Sequence, residues 1–211
     1  WWKALLVLVL CLVAVAFVVM INDAERRIPV QYAKRMLGTK MYGGQSTHIP
    51  FKVSMAGVIP IIFASSILSF PATIARLFTS GDVKWINWFS TSWLYAVLYF
   101  VLIIFFTFFY TAMIYNPIEM SNNIKANGGF IPGIRPGRPT SDFITKVMNK
   151  VTVIGSIAIA LVAVLPILMS RGNIAVSFGG TSLLILVGVA IETYRQIESQ
   201  MLMRNYKGFL D

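Results

Sequence analysis

Ser65 and Ser66, side by side in an apolar run, are the residues of this chain that most resemble a nucleophile. A serine attacks only when a base within hydrogen-bond reach takes its proton. The run from Val53 to Ala75 that holds both contains no Asp, Glu, Lys, Arg or His. His48, the only histidine, precedes that run and reads as a loop or interfacial side chain. Cys11, the only cysteine, excludes an internal disulfide and reads as a small apolar residue inside a helix. No set of His, Cys, Asp and Glu has metal-ligand spacing, and no glycine-rich phosphate loop is present. The expectation is a protein that is not an enzyme and calls for no cofactor.

Chemistry of another kind is carried by the charges. Eighteen Lys and Arg stand against eight Asp and Glu, a formal net charge of +10. Arg26, Arg27, Lys34, Arg35, Lys40 and Lys52 fall in one segment, and Lys125, Arg135, Arg138, Lys146 and Lys150 in another. The two alternate connections carry only Arg76 with Lys84, and Arg171. Basic residues gather on the cytoplasmic side of membrane proteins, so both long segments are expected there. A tether needs no turn chemistry, yet these segments hold Pro29, Gly43-Gly44, Pro50, Gly128-Gly129, Pro132-Gly133 and Pro136-Gly137. Ile28 to Tyr32 and His48 to Val53 alternate well enough to pair as short strands. Ordered, basic, exposed loops suit docking of an anionic partner. RNA phosphates and an acidic protein face both meet that description, and the residues do not separate them.

The elements that position these groups must cross a bilayer. The chain is 57% hydrophobic and 12% charged, with a mean hydropathy of +0.73. Soluble domains carry about 25% charged residues. Ala4 to Asn22, Val53 to Ala75, Trp85 to Ile118, Val151 to Ser170 and Gly172 to Ile191 hold no Asp, Glu, Lys or Arg. Each supplies the roughly 20 apolar residues that a helix needs to span about 30 Å of hydrocarbon. The runs are too long for barrel strands of about 10 residues. The expected fold is all-α, a polytopic membrane protein with five spans at about 4–22, 55–76, 93–116, 148–169 and 175–194. Basic connections at 23–54 and 117–147 and a tail at 195–211 lie on the cytoplasmic side in this reading, with the first residue outside. The first run is too long for a signal peptide and ends in Asn22-Asp23 followed by basic residues, so it reads as a true span of a chain that begins further upstream.

Coupled transporters place ionisable groups inside the membrane, and these span cores contain none. Half of a secondary transporter is therefore the weaker alternative. Five spans put the two ends on opposite sides, as in one half of an inverted repeat. The second span is the unusual one, with Pro60 and Pro71 bracketing Ser65, Ser66 and Ser69. Proline removes a backbone donor. Serine can satisfy freed carbonyls or face a polar cavity. The expectation is a bent helix lining a movable, partly wet seam, set against ordinary packing through small residues. Pro166 is expected to end the fourth span.

Three stretches place these features together. ERRIPVQYAKRMLGTKMYGGQSTHIPFKVSMAGVIPIIFASSILSFP, NPIEMSNNIKANGGFIPGIRPGRPT and FGGTSLLILVGVAIET resemble the SecY family, channel subunits of the bacterial protein-export machinery, over nearly half the chain. The five spans fall where that family has its sixth to tenth. The resemblance implies a channel that passes unfolded secretory chains across the plasma membrane and releases transmembrane segments into lipid. It implies that Ile62 and Ile185 belong to an apolar pore ring. Pro60, Ser65, Ser66, Ser69 and Phe70 then lie on the helix walling a lateral gate. Arg26, Arg27, Lys34, Arg35, Arg135 and Arg138 match positions that dock the ribosome and the SecA motor, Arg135 being the one most closely tied to the motor. The implied partners are the N-terminal half of the same channel, SecE, SecG, SecA, the ribosome, signal peptides and nascent chains, and membrane lipids.

Overall fold

The uncharged runs fold as helices, because no solvent is available in hydrocarbon to satisfy a non-helical backbone. A computed structural model describes residues 2–32, 35–37, 40–42, 46–78, 88–89, 92–171 and 180–207. The helices are α1 (Trp2–Asp23), α2 (Ile59–Phe78), α3 (Trp93–Ile114), α4 (Pro117–Ala126), α5 (Arg138–Arg171) and α6 (Gly180–Lys207). The strands are β1 (Glu25–Tyr32), β2 (Arg35–Leu37), β3 (Lys40–Tyr42), β4 (Ser46–Lys52) and β5 (Gly129–Phe130). Among the described residues, the helical stretches Trp93–Ala126 and Arg138–Met169 are long and apolar enough to cross a membrane. Val7–Asp23 and Ile59–Ala75 are shorter apolar helices. The start of the fifth expected span, 175–179, lies outside the described residues.

One apolar core joins five helices. Val18 and Ile21 of α1, Ile61, Ala64 and Leu68 of α2, and Tyr99 and Ile103 of α3 meet Ala160 and Ala163 of α5 and Val187 of α6. Opposite faces stay apolar yet exposed, among them Leu8, Leu12, Val101, Phe105 and Leu161. That inside-and-outside apolarity is what a lipid-facing surface requires. Trp2 and Trp93 are exposed at the helix ends farthest from the strands, where aromatic belts form at a membrane interface.

A second core lies where the basic segments were expected. β1 and β4 pair antiparallel with Ile28 opposite Ile49, the hairpin that the alternation indicated. β5 joins the free edge of β1 through Gln31 to Phe130 and Tyr32 to Gly129. Pro29 is tolerated because β1 is unpaired on that edge before Gln31, and Pro50 because β4 is an edge strand. Ile28, Val30 and Phe51 then pack on Ile124 of α4, on Ile131 and on Ile144 of α5. The two basic segments thus form one lobe with a shared core rather than two separate loops.

One sequence expectation, that Pro166 ends its helix, is corrected. α5 begins at Arg138, ten residues before the span expected from 148, so its 34 residues make a rod of about 51 Å that runs from the lobe through the apolar core. Pro166 does not end it: the helix continues to Arg171, since one missing N–H frees a single carbonyl and removes no other bond. α6 likewise runs past 194 to Lys207.

Candidate functional site

α2 is where the sequence placed most of its candidate residues. Pro60 is fully buried in the first turn, where its missing N–H breaks no intrahelical bond. The bend expected there is therefore not at Pro60, which starts the helix instead. Gly57 precedes it at φ 60, and the Ile61 and Ile62 amides donate to the Val58 carbonyl at 3.1 and 3.4 Å. Pro71 is the proline inside the helix. Pro71 leaves the Ile67 carbonyl without its usual donor. The hydroxyls do not repair it: Ser65 and Ser66 donate to the Ile62 carbonyl at 2.9 and 2.7 Å, Ser69 to Ser65 at 2.7 Å, and Thr73 to Ser69 at 3.0 Å. Satisfied within their own helix, these hydroxyls can face an apolar surface at little cost.

Ile61, Ala64 and Leu68 form the buried edge of α2, and Phe63 stacks on Phe106 of α3 at 5.8 Å. Ile62, Ser66, Ser69 and Phe70 lie on an exposed face, spaced as one side of a helix. That face leads from a cavity of about 740 Å³. The cavity is bounded by the β4–α2 turn, the start of α2, the end of α3 and one side of α6. Ile62 and Ile185 both line it. Pro60, Ser65, Ser66, Ser69 and Phe70 do not, so the structure unites the two expected ring residues and leaves the expected gate residues outside the cavity. Gly188 lets α6 approach the turn before α2 closely, since a Cβ there would stand 2.7 Å from Val58 Cγ2.

The expected docking arginines are exposed on the lobe: Arg26 and Arg27 on β1, Arg135 on the turn before α5, and Arg138 at its start. Lys34 lies outside the described residues, and Arg35 is described only as backbone of β2. Arg27 also contacts Glu25 at 3.4 Å, an exposed pair of little energetic weight. Arg135 is held by its surroundings. Gly133 and Gly137, at φ 82 and 104, bracket it in backbone conformations that L side chains rarely adopt. Buried Thr140 donates to the Arg135 carbonyl at 2.9 Å, and buried Ser121 donates from α4 to the Gly137 carbonyl at 2.8 Å. Neither Thr140 nor Ser121 stood out in the sequence; a hydroxyl one turn beyond a Pro-Gly turn was the available signal. His48 is exposed on β4 opposite Pro29, and Cys11 is half-buried in α1.

A model of the SecY family matches residues 1–194. The chain belongs to the SecY family. The protein translocase subunit SecY of Streptomyces galbus is 51% identical over 208 residues, covering 94% of this chain and 47% of that protein. The Corynebacterium glutamicum subunit is 48% identical, covering 97% of this chain and 50% of its own length. The chain thus spans about half the length of these SecY relatives. Two solved channel structures share the fold, at TM-scores of 0.61 and 0.60 with 20% and 18% identity. Each is covered to 48%, and each covers 90% of this chain. One concerns the plug domain of SecY and the closed state of the translocation channel, the other a protein-conducting channel. SecY-family membership fixes the all-α membrane architecture; the strands occupy only the lobe.

Proposed function

We propose that this chain forms one half of a protein-conducting channel, with Ile62 and Ile185 contributed to an apolar constriction. The observation that carries this is that side chains from two helices, 123 positions apart in sequence, line one cavity. Aliphatic side chains are suited to such a constriction, because they close around a moving chain, offer it no hydrogen bonds and leave ions no polar ligands. The other wall comes from the further length found in the SecY relatives. The exposed face of α2, with its internally satisfied serines and Phe70, serves as one side of a lateral exit to lipid. Apolar segments leave there without meeting a free serine hydroxyl, since each of these donates within its own helix.

The lobe faces the cytoplasm of the bacterial plasma membrane in this reading, because it carries most of the basic residues. It docks the SecA motor and the ribosome through Arg26, Arg27, Lys34, Arg35, Arg135 and Arg138, with SecE bracing the channel and SecG at its side. Energy comes from such a partner or from the membrane potential. The test is Ile62→Asn in the membrane-embedded channel. A polar side chain weakens the dry seal, so ion leak rises and export of proteins with defective signal sequences improves. Unchanged leak together with unchanged signal stringency would remove Ile62 from the constriction.

A further inference from the structure

Asp23 ends α1, and the last carbonyls of a helix lack intrahelical donors. Arg195 of α6 answers both needs. One guanidinium nitrogen reaches Asp23 Oδ1 and also donates to the Asn22 carbonyl at 3.3 Å. A cation is favourable at a helix C-terminus, and the planar guanidinium suits a second acceptor. The arginine side chain is 30% exposed.

α6 also packs on α1 and α5, but its described side chains bury little there. Among its described side chains only Val187 is buried, while Leu186, Val189, Tyr194, Ile197 and Met201 are exposed. Gly188 rests on Val58 in the third turn of the helix. Ile185, Gly188, Glu192 and Arg195 all line the cavity, so they occupy one broad side of α6. Arg195 lies about 15 Å along the helix from Ile185. A helix turns as a unit, so a tether at Arg195 fixes which way Ile185 faces.

We propose that Arg195 is a positioning residue, which through Asp23 and the α1 terminus holds Ile185 toward the cavity. The inference rests on the channel reading for its purpose, but its geometry is testable without translocation. In a Cys11→Ser background, single cysteines at 62 and 185 are labelled with a small water-soluble maleimide in the membrane-embedded protein. Arg195→Ala should slow labelling at 185 by roughly fivefold relative to 62, the equivalent of about 1 kcal/mol. Arg195→Lys, which keeps one charged contact, should restore most of the rate, and Asp23→Asn should reproduce part of the loss. An unchanged ratio would overturn the proposal. Equal slowing at both positions would also overturn it, because Arg195 would then support the fold in general. Failure of a stalled secretory chain to crosslink at 62 would instead count against the channel reading and leave the labelling ratio intact.

Discussion

Gly155 offers the sharpest test of how α5 is seated. It lies in mid-helix, where alanine would ordinarily add about 1 kcal/mol of stability. Here an added Cβ would stand 2.1 Å from the Val53 carbonyl oxygen and 3.1 Å from the Val53 carbonyl carbon. The obstruction is backbone, so no side-chain rotation relieves it. Val53 is itself held, its amide donating to the Ala24 carbonyl at 2.9 Å. Either α5 or the turn leading to α2 must shift. Overpacking of this kind costs about 1–3 kcal/mol, and the severity of the clash puts it at the upper end. After the gain in helix propensity, Gly155→Ala should lose about 1–2 kcal/mol. Thermal unfolding of the purified protein in detergent would read this as a lower midpoint than the parent's. Because the same turn leads into Pro60 and Ile62, labelling of a cysteine at 62 should change as well. A variant as stable as the parent, or more so, would refute the close approach of α5 to Val53.

Other outcomes follow from the lobe. Arg135→Glu should abolish motor-driven export while the protein still inserts and accumulates, as pulse-labelling and membrane fractionation would show; undiminished export would remove Arg135 from the docking surface. Thr140→Val keeps the shape but deletes the hydrogen bond to the Arg135 carbonyl. A loss of about 1 kcal/mol should weaken motor affinity by roughly fivefold, readable by titrating the motor against export rate. An effect as large as that of Arg135→Glu would mean that Thr140 does more than hold the turn.

Much of this arrangement was legible because hydrophobic runs and charge clusters are local signals. The β1–β4 hairpin followed from alternation around Ile28 and Ile49. The joining of the two basic segments did not, since β5 is a single Gly129-Phe130 pair whose partner Gln31 belongs to the other segment. The start of α5 was hidden by the polar stretch Arg138 to Asp142. Pro139 in its first turn and the apolar series Ile144, Val147, Met148 and Val151 were the signals for it. Pro60 was read as a bend because its distance from the true helix start could not be seen in a continuous apolar run. The Arg195–Asp23 contact links residues 172 apart and leaves no trace in local pattern. Ile62 and Ile185 were named through family resemblance; composition alone could not have singled them out among so many aliphatic residues.

The central claim, that Ile62 and Ile185 line one conduit, is tested most directly by crosslinking to a stalled secretory chain. Single cysteines at 62 and 185 are compared with controls at Leu68, in the packed core, and Phe105, on the apolar exterior. The same residue of the stalled chain should form disulfides at both 62 and 185 and at neither control, and the pairing should move in register with the stall point. Crosslinks at neither ring position in a complex that otherwise holds the chain, or equal yields at position 105, would contradict the account.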